Sequence, residues 1–406
     1  MHMLKGNKEV GEKKNILIVH NYYQISGGED TVVKNESELL KKNGNDVFFY
    51  TRYNAEIKEM NIWQKILMGF TSIYNFKTYR EIKRIICEKK IDVVHIHNTL
   101  SLISPSVYYA ALKCKVPVVQ TVHNFRMLCP GATLYRNGHI CEECVEKGLG
   151  CSVIHGCYRN SKVETAVCAI ALLIHRTTGI YSKINYICLT EFNKKQLLKI
   201  NKKGKKQIVD PEKIFVKPNY VKKDESNINR QKYRQYIYVG RLDEQKGIDF
   251  LFETWRLMGE KASKLIVCGT GPMEKWCKNF VKEKAANIEL VGVVDNDRAR
   301  TMIAESEALI LPTRWYEGFP MTILEAYSVG TPVIGPDFGN VGDIIIEGVT
   351  GYKFYDMDSM IACINKVCKK ELFYKILNIY NNYYSEQSNY EMLDKIYQQI
   401  GHEDII

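Results

Sequence analysis

The apolar positions of this chain fall into short runs that alternate with longer stretches of helical spacing. Asn15–His20 (NILIVH) is a run of strand length that breaks at Gly27-Gly28, after which apolar residues recur at helical intervals from Asp30 to Lys42. The segment therefore reads as strand, glycine loop, helix. Asn43-Gly44 punctuates the chain before a second strand over Val47–Thr51, and a helical stretch runs from about Trp63 to Glu88. Asp92–His97 (DVVHIH) and Val116–His123 (VPVVQTVH) are further strands, with a helix over Ser104–Lys113 between them. Runs that are apolar on both faces, alternating with helices, predict a parallel sheet covered on both sides.

A cysteine- and glycine-rich insertion over Gly131–Asn160 then breaks the rhythm. It is followed by a helix over Lys162–Tyr181, a strand over Tyr186–Thr190 and a basic, glycine-containing loop over Lys199–Lys206. Beyond Pro218 the polar stretch Asn219–Gln235 marks a change of domain. A second alternating series follows: strands at Tyr236–Gly240, Lys264–Gly269, Ile288–Gly292, Ala308–Pro312 and Pro332–Pro336, with helices from Phe250, from Met273, up to Ser306 and from Pro320. The expected fold is α/β with two Rossmann-like doubly wound domains, residues 1–220 and 221–375, the first carrying the insertion at 129–160. C-terminal helices at 376–406, including Met392–Ile400, are expected to pack back on the first domain. Ligands of such sheets bind beyond the carboxyl ends of the strands, so two facing domains imply a central cleft.

Composition narrows the classes of function. At 406 residues the chain is long enough for two cores, and 45% hydrophobic with 25% charged residues excludes a disordered or fibrous protein. The net charge of +11 favours a polyanionic partner, whether nucleic acid, anionic membrane or phosphorylated substrate. The first fifteen residues lack an apolar core and do not read as a secretory signal, which predicts a cytoplasmic protein. The most apolar run, Val163–Leu173, has about half of the ~20 residues that span a bilayer, so no transmembrane helix is expected. Without an export signal, the thirteen cysteines are not expected to form a disulfide framework.

The densest chemistry lies in YEGFPMTILEA. A strand ends just before it and Pro320 suits the first helical position, leaving Glu317, Gly318 and Phe319 in the connecting loop. The amides of Met321 and Thr322 would then point outward at the positive end of the helix, a site for a diphosphate. Glu325, one turn in, can accept hydrogen bonds from a ribose diol, with Glu317 on the sugar side of the phosphates. A second feature is GRLDEQKG, which follows the strand YIYVG and brings Arg241 and Lys246 to its carboxyl end. Gly27 and Gly28 after the first strand, and Gly269 and Gly271 in GTGP, allow close approach of backbone to ligand. His95 and His97 share one strand face, and His123 ends another strand.

In order along the chain, Gly27-Gly28, VVHIH, TVHN, GRLDEQKG, GTGP and the glutamate pair resemble the family 4 retaining glycosyltransferases, in which two glutamates with seven residues between them frame an E-G-F-P context. The resemblance implies a GT-B fold whose C-terminal domain holds a nucleoside diphosphate sugar, a UDP-sugar being favoured. It assigns Arg241 and Lys246 to the donor diphosphate, where they would neutralise charge on the leaving group. It also brings His123 close to the donor sugar, makes Gly269 and Gly271 part of the nucleotide-side loop and gives Glu325 the ribose. Transfer with retention of a hexose-type sugar to a hydroxyl of a polysaccharide or polyprenyl-linked glycan follows, with no cofactor required for catalysis. His97 is expected near the acceptor and His95 is expected to be structural. Rival readings are an epimerase or phosphorylase on the same fold, and a zinc-stabilised nucleic-acid-binding protein. Against the last, the basic residues are not interleaved with aromatics in one module.

Within the insertion, Cys141-Glu-Glu-Cys144 has the spacing of a metal knuckle. Cys129, Cys141, Cys144 and Cys157 are the expected ligands of a structural zinc, with Cys151 or His155 as substitutes, and free thiols are the alternative. The apolar helix from Val163 and the basic loop over Lys199–Lys206 suggest peripheral contact with an anionic membrane, on its inner face.

Overall fold

The computed structural model describes residues 13–401 apart from 25–26, 203–205, 229, 232, 260–261 and 285–286. Most of the N-terminal stretch and the middle of the basic loop over Lys199–Lys206 therefore lie outside the described residues. Two six-stranded sheets form the framework. The first has β1 (Asn15–Tyr22), β2 (Asp46–Tyr53), β3 (Val93–Asn98) and β4 (Val118–Val122), and is completed by β7 (Asn185–Cys188) and β8 (Ile214–Val216), in the order β2-β1-β3-β4-β7-β8. A short antiparallel hairpin, β5 (Tyr135–Arg136) with β6 (His139–Ile140), lies in the insertion. β3 is buried at every position, as its unbroken apolar pattern requires.

The second sheet contains β9 (Gln235–Val239), β10 (Lys264–Cys268), β11 (Ile288–Gly292), β12 (Ala308–Ile310), β13 (Val333–Pro336) and β14 (Gly351–Phe354). Its order is β11-β10-β9-β12-β13-β14. The strand order reverses between β9 and β12, which pair in parallel. In open α/β sheets ligands gather beyond the strand ends at such a reversal. Its core is one continuous cluster that includes Trp255, Phe252, Tyr238 and Tyr327.

Two compact units emerge. One comprises Met1–Thr121, Thr178–Ile187 and Tyr390–Ile406; the other comprises Val122–Thr177 and Cys188–Asn389. The sequence cuts at 220 and 375 treat the units as continuous segments, whereas here the insertion and the helix after it group with the second sheet. The helix Glu386–Gly401 lays the Tyr397 hydroxyl 2.7 Å from His95 Nδ1 on β3.

Local differences from expectation have identifiable causes. The helical stretch expected over Trp63–Glu88 is two helices, Ile62–Thr71 and Phe76–Lys89. Asn75 starts the second by accepting a hydrogen bond from the Thr78 amide, and such a cap sets a boundary that periodicity does not show. The helix after the insertion ends at Thr177, followed by Gly179 with φ of 74°.

Candidate functional site

Both loops leaving the β9/β12 reversal carry charged side chains, and they are tied together. After β9, Asp243 accepts from the Lys246 amide at 3.0 Å and so caps the tight turn Glu244–Lys246. The Gln245 carbonyl accepts from the Arg314 amide at 2.9 Å and from the Thr313 hydroxyl at 3.3 Å, both on the loop after β12. Gly247, with φ of 67°, lies so close to this loop that a Cβ would come within 2.0 Å of the Pro312 carbonyl oxygen. Only glycine fits.

This arrangement places Lys246 Nζ at 2.7 and 2.9 Å from the two carboxylate oxygens of Glu317. Trp315 Nε1 donates to the same carboxylate at 3.0 Å, and its ring lies 5.6 Å from the Lys246 ammonium. The glutamate is largely buried, so its charge is fixed by a salt bridge and an indole donor together. Arg241 pairs through Nε with Asp243 at 3.2 Å while its side chain stays 67% exposed, and it lines an open cavity of about 710 Å³ together with Pro272, Met273 and Trp276. Its backbone carbonyl accepts from the buried Tyr238 hydroxyl at 2.6 Å, which holds the loop down at the strand end.

Glu317 and Gly318 are fixed from below. The Asn340 side-chain amide donates to the carbonyl of Gly318 at 2.7 Å and to that of Glu317, and the Thr190 hydroxyl donates to Asn340 Oδ1. A Cβ on Gly318 would stand 2.4 Å from the carbonyl oxygen of His123, so the residue just beyond β4 is packed against this loop through its backbone. The half-buried Phe319 packs on the core of the second sheet. Pro320 is the residue before the helix Met321–Ser328 rather than its first member, which shifts the expected start by one. The amides of Met321 and Thr322 stay in the first turn, where a helix offers no internal acceptor. Glu325 sits in the same helix, and burial raises its carboxyl above the usual range, opposed by the Arg300 charge.

Gly269 and Gly271 follow β10. A Cβ on Gly269 would lie 1.9 Å from the Gly240 carbonyl oxygen, and one on Gly271 would lie 2.3 Å from that of Leu242. These glycines let the loop after β10 stack on the loop that carries Arg241.

In the first unit, Gly27 precedes the helix Gly28–Lys42, which begins two residues earlier than expected, and its amide donates to Asp30 at 3.2 Å. Asp30 in turn lies 2.8 Å from the fully buried His20, whose pKa is lowered to about 4, chiefly by burial and against the Asp30 hydrogen bond. His95 is structural in geometry, with its nitrogens 2.7 Å from the hydroxyls of Tyr397 and Thr121. His97 has a wholly buried side chain, 3.4 Å from Glu36, rather than one presented to an acceptor. Trp315, Asn340, Thr190 and Asp243 escaped the sequence reading. Asn340 and Asp243 both follow sheet strands, and the rule that ligands gather at carboxyl ends was the available signal.

In the insertion, Cys129, Cys141, Cys144 and Cys157 line one cavity of about 290 Å³, together with Cys151 and His155. Among the described residues no disulfide links any of the thirteen cysteines.

Two parallel α/β sheets with a polar crevice at a strand-order reversal define a nucleotide-binding architecture, and comparison with known proteins specifies it. Residues 221–386 match the family model of glycosyl transferases group 1, and residues 26–139 match that of Glycosyltransferase Family 4. Together they take in more than half of the chain. An uncharacterized 41.2 kDa protein in the cps region of Klebsiella pneumoniae is 24% identical over 86% of this chain and 89% of its own length. Alpha-monoglucosyldiacylglycerol synthase of Streptococcus pneumoniae is 23% identical over 86% and 76%. Among solved structures, the apo lipopolysaccharide outer core galactosyltransferase WaaB superposes with a TM-score of 0.62 at 18% identity, covering 95% of this chain and 99% of that one. Anabaena Alr3699/HepE in complex with UDP-glucose gives 0.58 at 13%, covering 95% and 98%. The fold is GT-B and the chain is a glycosyltransferase. It belongs with the family 4 type.

Proposed function

We propose that the chain moves a hexose-type sugar, with retention, from a nucleoside diphosphate sugar to a hydroxyl of a growing polysaccharide or lipid-linked glycan. The carrying observation is the Lys246–Glu317 pair at the β9/β12 reversal, adjoining the first turn of the helix Met321–Ser328. In this reading the amides of Met321 and Thr322 donate to the oxygens of the donor diphosphate, Arg241 and Lys246 add positive charge, and Glu325 accepts from the ribose hydroxyls. Lys246 is then shared between the phosphate and Glu317, which orients the sugar, with His123 on the sugar side and the loops of Gly269, Gly271, Gly318 and Phe319 shaping the nucleotide pocket. The bond from the anomeric carbon to the phosphate oxygen breaks, a bond to the acceptor oxygen forms on the same face, and the acceptor proton passes to the departing phosphate. The charge that develops on the leaving oxygen is met by fixed cations and dipoles, so no cofactor enters the step. Alr3699/HepE with bound UDP-glucose supports a UDP-sugar as donor.

The acceptor reading rests on a second feature. The helix Ile62–Thr71 buries no residue and exposes Trp63 at 76% and Phe70 at 69%, with Ile66 and Leu67 also exposed. No helix among the described residues is long and apolar enough to cross a membrane. An exposed apolar helix on a chain of net charge +11 suits an anionic bilayer surface, with the protein working at its inner, cytoplasmic face. The Streptococcus relative, named as a glucosyldiacylglycerol synthase, supports a lipid-borne acceptor.

A thermal-shift screen across nucleotide-sugars, followed by product analysis with lipid-linked acceptors, tests the donor and acceptor. Stabilisation by a UDP-sugar and growth of a glycan are expected. Donor turnover without glycan growth would favour an epimerase. Binding to phosphatidylglycerol vesicles that is lost in Trp63→Glu is expected for the membrane contact, and equal binding by both proteins would remove it.

A further inference from the structure

The Cys141–Cys144 turn is built like a ligand cage and touches the residue next to Glu317. Cys129 Sγ lies beside the Cys144 thiol and the backbone of Gly131 and Leu134, and the Ala132 amide donates to the Cys129 carbonyl oxygen at 2.8 Å. Around this turn Ala132 and Leu134 adopt φ of 66° and 50°, a left-handed conformation that non-glycine residues rarely hold. Cys157 closes the opposite side: a Cβ on Gly131 would meet Cys157 Cβ at 3.3 Å and Cys129 Sγ at 3.5 Å. Arg136 hydrogen-bonds Cys141 and lies near Cys157, placing one positive charge against the sulfurs. Cys151 lines the same cavity but makes none of these contacts.

We infer that Cys129, Cys141, Cys144 and Cys157 bind one structural zinc ion, and that the metal braces the donor loop through Glu142. Zinc favours four thiolates in tetrahedral array, and backbone amides aimed at the sulfurs are the usual outer support of such a site. Arg136 offsets part of the net negative charge that four thiolates leave around a divalent ion. Binding draws the sulfurs together within the cavity and fixes the turn between Cys141 and Cys144. That turn carries Glu142, which accepts from the Tyr316 hydroxyl, from Lys199 at 2.6 Å and from Gln196 at 3.2 Å. Phe125, at the root of the insertion, packs its ring 6.0 Å from that of Tyr316. Tyr316 adjoins Glu317, so rigidity at the sulfurs is passed to the loop after β12.

Among the described residues, the group of potential ligand atoms that already lie close together is Glu36 with His95 and His97. Both His95 nitrogens are engaged by hydroxyls at 2.7 Å, and one Glu36 oxygen lies 3.2 Å from His95 Nδ1 and 3.4 Å from His97 Nε2.

Metal analysis of the full chain, purified in reducing buffer without chelator, tests the proposal. About one zinc per chain is expected. Cys129→Ser and Cys144→Ser should lose it and Cys151→Ser should retain it. Should the serine variants fail to fold, titration of the wild type with a mercurial should release zinc in step with modification of four thiols. Hydrogen exchange then reads the brace: stripping the metal should speed amide exchange in the Thr313–Phe319 segment, and readdition of zinc should restore it. Wild-type protein that binds no zinc after reconstitution, or equal loss in Cys151→Ser, would overturn the ligand set. Unchanged exchange across Thr313–Phe319 would overturn the brace.

Discussion

Both sheets send glycine loops out from their strand ends, yet the two sets of glycines are held by different constraints. In the second unit, Gly247, Gly269, Gly271 and Gly318 are each so close to a carbonyl oxygen that a Cβ would lie 1.9 to 2.4 Å from it. The protein's own backbone dictates glycine there. In the first unit, a Cβ on Gly27 would meet nothing within 4 Å, and its φ of −128° is open to any residue. Crowding therefore builds the loops around Lys246 and Glu317, whereas the Gly27 loop is shaped by the Asp30 cap and the buried His20 beneath it. A motif that is similar in sequence can thus be structural in one half and open to a ligand in the other.

Substitution separates the two cases. Gly271→Ala or Gly318→Ala forces backbone against backbone and should destabilise the second unit by about 4 kcal/mol or more, read as a fall in denaturation midpoint. A midpoint unchanged in both would show that the loops are looser than their packing. Lys246→Ala keeps the fold and should lower transfer by about 100- to 1000-fold, the scale of removing one group that stabilises developing charge. A wild-type rate would remove Lys246 from the reaction. Glu325→Ala should raise the donor KM about tenfold while changing kcat less, equivalent to about 1.4 kcal/mol.

Glu325 also gives a signed pH test. Burial raises its folded pKa, so the folded state holds the proton more tightly than the unfolded one, and ionisation costs stability above the ordinary carboxyl range. Glu325→Gln should therefore raise the melting temperature at pH 8, with the gain shrinking to nothing as the pH falls below that range. A gain that persists at low pH would assign the effect to packing. The smallest effect is expected at Gly27→Ala, which should leave stability within about 0.5 kcal/mol while reducing transfer. A large loss of stability there would erase the contrast between the units.

How much of this was legible in the sequence depends on what each feature needs. The central strands were legible because burial on both faces imposes unbroken apolar runs, as in β3 and β13. β8 and β14 were missed. They have three and four residues and lie at the ends of their sheets, where neighbours impose less of a pattern. Lys246 and Glu317 were singled out because each stands after a strand in a short motif that carries the family resemblance. Their pairing, 71 residues apart, is a tertiary fact. Asn340 and Thr190 each follow a strand, but neither stands in a distinctive local motif, and their support of the Glu317 loop from other parts of the chain is likewise tertiary.

The most direct test of the donor site is calorimetric titration of UDP into wild-type protein and Lys246→Ala, at equal salt. If the diphosphate rests on Lys246 and the amides of Met321 and Thr322, the wild type should bind and the variant should bind about 100-fold more weakly, near 2.7 kcal/mol. Equal affinities would show that the diphosphate lies elsewhere and would contradict the account.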